Sequence, residues 1–352
     1  MDLDSIWAEY GFDELQSGLD TLFPQYGISL SELMQRLLQG DVTGVLTDFV
    51  SQAFQGLTGP FADMKSVFVR LLVLGVVSAL MSHFTEVFDR HQVADLSFYF
   101  MYLLMTAVLL KCFGQAAGTA VETMGNIVLF VRLLMPVWLL AVGMATGSFT
   151  VSGYYQLLLI LIYGVQQILV GVVVPLTYCY CMLAVINGIW SEEKLTLLIE
   201  FLEKLIGWIL KAAVGIVTGV SVFQAVLTPV LDSVKTGALQ KAVSALPGIG
   251  NTADGMLELV LGSAVVIKNS VGVLLLLLLL LLCAAPLAKI FLMALLLKGA
   301  AAFMGIVSDK RITSCANRTG DAGLMLFKVT GTAMFLFLIT IAIVATTTNR
   351  GF

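Results

Sequence analysis

The most regular feature of this chain is a series of long apolar runs separated by short polar stretches. An apolar run of about 20 residues predicts a helix that crosses a lipid bilayer. The runs that reach or approach this length cover residues 66–82, 96–113, 126–147, 155–188, 205–228, 264–285, 287–307 and 324–346. They predict an all-α, polytopic integral membrane protein with about eight spans, in a range of about seven to nine.

Proline interrupts two of these runs. The run at 155–188 contains 34 residues. A helix of that length extends about 51 Å, which is more than the hydrocarbon core of about 30 Å. Pro175 lies inside it and removes a backbone donor, so a kink or break is predicted there. Pro136, in the run at 126–147, is a second candidate hinge.

The first 65 residues show helical periodicity instead of continuous apolar runs. Ser29 and Glu32 have the spacing of a capping box at a helix start. Gly40 is placed to end that helix, and Asp41 is placed to cap the next one. The pattern therefore predicts a small amphipathic-helical extramembrane domain over residues 1–65.

Charge separates this domain from the rest of the chain. Residues 1–65 hold ten acidic and two basic residues, for a net charge of −8, whereas the remaining residues have a net charge of +4. With the acidic domain outside and all spans crossing, the inner loops hold six basic residues and the outer loops four. This distribution agrees with the positive-inside rule. If residues 155–188 cross twice, the orientation of every later span inverts.

Residues 229–263 form an interfacial segment between two groups of spans, 66–228 and 264–352. An apolar stripe over 231–246 predicts a helix that lies at the membrane surface. The sequence PGIGN then breaks the chain. Its two glycines, Gly248 and Gly250, are candidate hinges.

Five polar residues within or beside the apolar runs are candidates for pore lining or helix packing: Arg132, Gln166, Gln167, Lys268 and Asn269. An arginine at mid-membrane costs about 2.5–3.5 kcal/mol, so Arg132 either faces a pore or polar partner or snorkels to the headgroups. The glutamines either bridge helices or line a polar path. Lys268 and Asn269 fit a re-entrant or gating element, or an interfacial loop.

Two further patterns concern helix packing. Nine consecutive leucines, Leu274 to Leu282, predict a helix that is apolar on all sides and either faces lipid or is wholly buried. Glycine pairs four residues apart favour close helix contact within or between subunits. These pairs are Gly114 with Gly118, Gly143 with Gly147, and Gly215 with Gly219.

Composition excludes several classes of protein. The chain is 59% hydrophobic and 12% charged, with a mean hydropathy of +0.98, which excludes a water-soluble protein. Its net charge of −4 gives no general basic character for binding nucleic acid. Two histidines and the lack of a histidine–cysteine cluster argue against a protein-ligated metal.

Chemical motifs are also absent from the sequence. No Walker A loop, G-x-S-x-G elbow or H-E-x-x-H motif occurs, so neither an enzyme nor a cofactor is predicted. The opening MDLDSIWAEY has no basic region followed by an apolar one, so no secretory signal is predicted in this chain.

Two segments of the C-terminal half carry a resemblance to a known family. They are ALPGIGNTADGMLELVLGSAVVIKNSVG at 245–272 and SDKRITSCANRTGDAGLML at 308–326, the latter ahead of a final apolar span. With the acidic N-terminal region and the long apolar middle, their order resembles stage III sporulation protein AE. The resemblance covers essentially the whole chain and is most specific over 245–326.

This resemblance implies a membrane component of the channel, or feeding tube, that joins mother cell and forespore in an endospore-forming Firmicute. It implies a location in the mother-cell membrane around the forespore. The implied partners are the other products of the same operon, namely a secretion-type ATPase, small membrane proteins and ring-forming proteins. The forespore's stage II sporulation protein Q would meet the rings between the membranes. The family brings no catalytic residues.

Two classes of function follow. The first is a structural and conducting subunit of a trans-envelope complex, embedded in lipid, compatible with a homo-oligomer and without nucleic acid. The second is a stand-alone secondary transporter, because broken spans near Pro136 and Pro175, with Arg132 and the glutamine pair, resemble midplane transporter sites. An assembly scaffold without a pore of its own is a variant of the first. The first class is our expectation.

Overall fold

The computed structural model describes residues 12–24, 29–87, 91–146, 149–189, 194–243, 250–306 and 308–347, and every regular element among them is helical. The helices are α1 (Phe12–Leu22), α2 (Leu30–Leu38), α3 (Val42–Val87), α4 (His91–Thr146), α5 (Phe149–Ile168), α6 (Val174–Asn187), α7 (Thr196–Val243), α8 (Gly250–Met304) and α9 (Lys310–Thr347). A π-helical turn, Leu169–Val173, joins α5 to α6. The predicted all-α class is therefore confirmed for this part of the chain.

Four helical stretches within the described residues are long and apolar enough to cross a membrane: Leu96–Leu134, Leu159–Asn187, Ser270–Met304 and Lys310–Ala342. They support the membrane assignment. The predicted runs at 66–82 and 205–228 lie in α3 and α7, whose side chains are described only in part. The count of eight spans is not confirmed.

Two pairs of predicted spans each lie on a single helix. The runs at 96–113 and 126–147 both belong to α4, which has 56 residues and a length of about 84 Å. The runs at 264–285 and 287–307 both belong to α8. Pro286 lies inside α8 without ending it, because neighbouring helices can satisfy the backbone groups that a proline frees in a membrane bundle.

The local signals in the N-terminal region are confirmed. The Ser29 hydroxyl accepts a hydrogen bond from the Glu32 N–H at 3.4 Å, as an N-cap of α2. Gly40 follows the end of α2 with a φ of 85°, a left-handed conformation that glycine adopts without strain. The Asp41 carboxylate accepts the Gly44 N–H at 3.0 Å at the start of α3.

An exposed ion-pair cluster joins α2 to α3. The Arg36 guanidinium lies 3.1 Å from the Asp41 carboxylate and 2.7 Å from that of Asp48. The Arg36 hydrogen bond, followed by the Gly44 N–H, holds the pKa of Asp41 below its usual range. The Arg36–Asp41 ion pair is therefore lost only when the pH falls towards the range in which Asp41 takes up a proton.

The N-terminal helices share the core of the membrane helices. Leu19 and Leu37 are buried in the same hydrophobic cluster as α4, α8 and α9, and α3 crosses residue 65 without a break. The amphipathic face predicted on α3 is only partly covered, since Val45 is buried and Phe54 is exposed. A separate domain over residues 1–65 is therefore not confirmed.

The antiparallel pair α8–α9 forms the centre of the bundle. Helices α3 and α4 pack on α8, and α4, α6 and α7 pack on α9. Of the nine leucines Leu274 to Leu282, only Leu280 is exposed. The leucine-rich helix is therefore buried among its neighbours, and this packing of side chains is what holds helices together in lipid.

Polar groups of the helical bundle as a candidate functional site

A charged pair joins the two central helices. The Lys298 Nζ of α8 lies 2.7 Å from an Asp321 carboxylate oxygen of α9 and donates to the Asn317 Oδ1 at 3.4 Å. Asn317 and Asp321 are one helical turn apart, so both face the same lysine. About a third of each charged side chain is exposed, 34% and 31%. The charges of Lys298 and Asp321 neutralise each other on two helices that are apolar enough to cross a membrane.

Two glycines allow α8 and α9 to approach closely beside this pair. A β-carbon on Gly323 would lie 2.9 Å from the Cβ and 3.3 Å from the Cα of Ala294. A β-carbon on Gly320 would lie 2.6 Å from the Cγ of Lys298. Small residues at a helix contact permit such an approach in membranes. The sequence TGDAG therefore serves as a packing segment of α9.

The start of α9 is anchored on α4. The Asp309 carboxylate accepts the Arg311 N–H at 2.7 Å and caps the helix. The Arg311 guanidinium lies 3.7 Å from the ring centroid of Phe98, a cation–π distance. Together with Lys298 and its partners, these contacts make residues 308–326 the junction of the three helices α4, α8 and α9.

The two adjacent glutamines of α5 occupy different environments. Gln166 is buried, and its Nε2 donates to the Met124 carbonyl of α4 at 2.7 Å. Gln167 is exposed, and its Nε2 donates to the Tyr163 hydroxyl on its own helix at 3.1 Å. Gln166 therefore bridges α5 and α4, whereas Gln167 lies on the outer surface of the bundle.

Substitution of each glutamine by leucine should separate these environments. Gln166→Leu is expected to lower the free energy of unfolding by about 0.6–1.5 kcal/mol, because it removes an interhelical hydrogen bond. Gln167→Leu, as the matched control, should stay within about 0.5 kcal/mol of the unmodified chain. Thermal unfolding in one detergent measures both. Equal effects of the two substitutions would contradict the bridging role of Gln166.

A described pocket of the bundle is apolar, and several buried hydroxyl groups bond within their own helices. Buried threonines on α6 and α9 donate to carbonyls one turn earlier on their own helices, as Thr177 does to Val173 and Thr330 does to Leu326. One apolar pocket, lined by α3 and α8 side chains such as Phe68 and Met293, has a volume of about 10 Å³. That is about the space of one water molecule, and the pocket has no polar group to hold it.

Polar and small residues instead line one outer face of α4, inside the candidate span Leu96–Leu134. They follow each other at intervals of four, three and four residues, which places them on one side of the helix. They are Lys111, Gln115, Gly118 and Glu122, all exposed, and are called the polar stripe below. Neither Lys111 nor Glu122 forms an ion pair with a described residue.

Three of the predicted pore and hinge residues, Arg132, Pro136 and Pro175, lie on α4 and α6. Arg132 is exposed on α4 beyond the polar stripe, next to Leu133, which lies against Gly18 of α1. Pro136 lies within the helical backbone of α4. Pro175 is exposed in the first turn of α6, directly after the π-helical turn. The predicted disturbance at Pro175 is therefore a local change of helix type, which leaves the chain helical through Asn187.

The glycine-rich region before the leucine-rich run is described only in part. Gly248 lies outside the described residues, and Gly250 is the first residue of α8. Lys268 and Asn269 lie within the helical backbone of α8, and their side chains are not described. The irregular backbone expected of a re-entrant element is therefore absent from 250–272.

The two glycine pairs that the structure describes do not make the close contacts within the chain that their spacing favours. A β-carbon at any glycine of the two described pairs would meet nothing within 4 Å: Gly114, Gly118, Gly215 and Gly219. Gly143 and Gly147 lie outside the described side chains. Close helix contact occurs instead at Gly320 and Gly323, which do not have that spacing.

Sequence reasoning missed the charged residues with the clearest structural consequences. Lys298 lies inside the predicted span 287–307, where a lone charge signals a partner on another helix. Lys111 and Glu122 fell at the end of one predicted span and in the loop after it. Both charges lie within α4, so a prediction of α4 as one continuous helix would have identified them as charges inside a membrane helix.

Comparison with known proteins gives a consistent result. A family model described as stage III sporulation protein AE matches residues 28–348. The stage III sporulation protein AE of Bacillus subtilis (strain 168) is 19% identical over 343 residues, which cover 96% of this chain and 86% of that protein. No solved structure matches the chain.

Proposed function

Because the chain belongs to the stage III sporulation protein AE family, we propose that it is a multi-pass membrane subunit of the sporulation channel that links mother cell and forespore. In this role it is a structural and conducting component required for late forespore development. Its location is the mother-cell membrane that surrounds the forespore. Four apolar helices of spanning length support the membrane part of this proposal.

The observation that carries the proposal is the position of the polar groups. No charged side chain is buried among the described residues, whereas Lys111 and Glu122 are exposed on a candidate membrane span. A charge that faces lipid near the bilayer centre costs about 2.5–3.5 kcal/mol. The outer face of α4 therefore requires water or another protein surface, and an assembly of several chains supplies either.

A stand-alone secondary transporter is the alternative. Such proteins bind their substrate near the membrane midplane, where broken helices expose polar groups to a cavity. In this bundle the Gln166 Nε2 donates to the Met124 carbonyl of α4, its buried Oε1 has no hydrogen-bond partner among the described residues, and α4 is helical through Pro136. These observations favour a subunit of an assembly over a transporter.

The proposed partners follow from the family. They are the other membrane, ring-forming and ATPase products of the stage III sporulation operon, with stage II sporulation protein Q of the forespore as an indirect partner. The lipid bilayer surrounds the apolar surface of the bundle, where Leu103 and Ile160 are among the exposed side chains.

Affinity purification of the tagged full chain from sporulating cells, in mild detergent, tests this proposal. We expect the ring proteins and the secretion-type ATPase among the co-purifying proteins identified by mass spectrometry. A membrane complex known to survive the same detergent serves as the control. Recovery of this chain alone would contradict the proposal. Solute uptake into liposomes, lost in Arg132→Ala, would then support the transporter.

A further inference from the structure

The polar stripe of α4 has a counterpart on α7. Glu200, Lys204, Gly207 and Lys211 follow each other at intervals of four, three and four residues, as the members of the polar stripe do. They therefore share one side of α7, where the three charged side chains are exposed and Gly207 is partly exposed. These four residues are called the α7 row below.

The charges of the two helices are opposite at matching positions. Lys111 and Glu122 lie eleven residues apart at the ends of the polar stripe, and Glu200 and Lys211 lie eleven residues apart at the ends of the α7 row. Adding 89 to each residue number of the stripe gives the row, so the matches are Lys111 with Glu200, Gln115 with Lys204, Gly118 with Gly207, and Glu122 with Lys211. Two parallel helices in this register place each end charge opposite a counter-charge.

The repeated pattern of four positions distinguishes these two faces from other exposed charges. Lys328 of α9 is also exposed and has no ion-pair partner in the described part of the chain. The residues eleven positions before and after it are Asn317 and Ile339, so α9 has no second charge at the spacing of the stripe. A lone lysine can extend its side chain towards the headgroups, and it defines no register for a partner helix.

The stripe and the row do not meet within one chain. Helices α4 and α7 both pack on α6 and α9, and both faces are exposed. No ion pair joins Lys111, Glu122, Glu200 or Lys211 to a described residue. An unpaired glutamate is unfavourable inside a candidate span, because its short side chain does not reach the headgroups as a lysine does. Lys211 of a second copy supplies the counter-charge.

Helices α4 and α7 run in the same direction. The Tyr102 hydroxyl near the start of α4 donates to the Val185 carbonyl near the end of α6 at 2.6 Å. At the same end of α6, the Asn187 Nδ2 donates to the Thr196 Oγ1 at the start of α7 at 3.2 Å. Loop charges give every copy of a membrane protein the same orientation. Helix α4 of one copy is therefore parallel to α7 of another, as the matching of the charges requires.

Lys111 and Glu200 also lie at similar depths in the bundle. The ring centroids of Phe113 of α4 and Tyr178 of α6 are 4.9 Å apart, so these two residues share a depth. Measured from the end of α6 at the start of α7, Lys111 is about seven residues deep and Glu200 about four. The difference corresponds to about 4.5 Å, less than one helical turn. Copies with one orientation therefore present the stripe and the row side by side.

The glycines of the two faces are open in the single chain. A β-carbon at Gly118 or at Gly207 would meet nothing within 4 Å. Small residues at facing positions let two membrane helices approach closely, so that side chains on either side of them come into contact. In the register of the matching charges, Gly118 of one copy faces Gly207 of the other.

We infer that the polar stripe of one copy of this chain packs on the α7 row of a second copy in the membrane, with Lys111 paired to Glu200 and Glu122 paired to Lys211. This inference rests on the proposed function and names a second copy of the chain as one partner in that assembly. The contact is head-to-tail, because it joins two different faces. Each copy in a pair therefore keeps one free face, on which a further copy can pack.

Cross-linking between two tagged forms of the full chain tests this contact. Both forms carry Cys179→Ser, because Cys179 is the exposed native cysteine and the other four are buried. One form adds Gln115→Cys and the other adds Lys204→Cys, and the two are produced together in sporulating cells. The matched control replaces Lys204→Cys by Val172→Cys, at an exposed position of the π-helical turn. A short bifunctional thiol reagent is applied to the membranes, and dimers with both tags are measured.

The yield of dimers that carry both tags is expected to be on the order of ten-fold higher with Lys204→Cys than with Val172→Cys, because the reagent joins only thiols that face each other. Chains that all carry Gln115→Cys should remain single, because a head-to-tail contact never brings two stripes together. A yield no higher than that of the control would overturn the inference. Dimers formed equally well from Gln115→Cys alone, or cross-links to a different protein only, would also overturn it.

Exchange of charges tests the pairing itself in the same assay. Glu122→Lys puts a lysine opposite Lys211 of the next copy and should lower the yield on the order of ten-fold, because like charges repel each other strongly away from water. Lys211→Glu should have the same effect. A chain with both substitutions has opposite charges again and should recover most of the yield. Lys328→Glu, outside both faces, should leave the yield unchanged. A double variant no better than the single ones would overturn the pairing.

These outcomes remain distinct from those of the purification. Recovery of the operon partners without cross-links between copies would overturn this inference and leave the proposed function supported. Cross-linked copies without operon partners would support the contact between α4 and α7 and contradict the proposed complex.

Discussion

Asp321→Leu is expected to lower the free energy of unfolding by about 2–3 kcal/mol, because it leaves the Lys298 charge without its partner between α8 and α9. This loss is smaller than that of a fully buried pair, since about a third of each side chain is exposed. Lys298→Met should have a comparable effect through Asp321. The double variant should lose less than the sum of the single losses, because removing both charges leaves neither unpaired.

The measurement is the thermal unfolding of the purified full chain in one detergent, with heat-resistant spore counts as the functional readout. Lys328→Met is the matched control, since Lys328 is exposed on α9 and has no ion-pair partner in the described part of the chain. Additive losses in the double variant would show that Lys298 and Asp321 do not depend on each other, contrary to this prediction.

The second large effect is expected from Gly323→Ala. The new methyl group would lie 2.9 Å from the Ala294 Cβ and 3.3 Å from its Cα, so the backbones of α8 and α9 must separate. Overpacking of this kind costs about 1–3 kcal/mol. Because residues around Gly323 also hold Asp321 against Lys298, separation of the helices should weaken the ion pair as well.

Gly331→Ala is the matched control on the same helix. A β-carbon at Gly331 would lie 4.0 Å from Leu287 Cδ2, which is an ordinary contact. Alanine also favours a helix over glycine by about 0.5–1 kcal/mol, so this variant should be neutral or slightly stabilised. The two variants are compared by thermal unfolding under the conditions used for Asp321→Leu. A loss of the same size at both positions would indicate that α8 and α9 do not depend on close approach at Gly323.

Local signals in the sequence predicted local structure reliably. Ser29, Gly40 and Asp41 act as cap, stop and cap, because these roles depend on a residue and its neighbours within one turn. The helical class followed from apolar runs of membrane length, which few other structures accommodate. The ends of the long helices were less predictable. Polar residues inside α4 and Pro286 inside α8 interrupt the hydropathy pattern without interrupting the helix.

A residue of the candidate site could be predicted only where its neighbours in the sequence indicated that it needs a partner. Gln166 stood out because a glutamine within an apolar run needs a partner, but its partner, the Met124 carbonyl, is 42 residues away. Lys298 and Asp321 sit in segments that hydropathy assigns to a span and a loop, and only the antiparallel packing of α8 on α9 brings them together. The glycine spacing of Gly114 and Gly118 suggested a contact that the fold leaves open.

The sequence by itself determined that this is a helical membrane protein, because composition and run length alone decide whether a segment is stable in lipid. The sequence also identified the family, because the order of its segments matches stage III sporulation protein AE. The tertiary structure decided which faces are buried. The sequence of a helix that is apolar on all sides does not show which of its faces is buried. The neighbouring helices place Leu274 to Leu282 of α8 in the centre of the bundle, and the packing of α4 leaves Lys111 and Glu122 exposed.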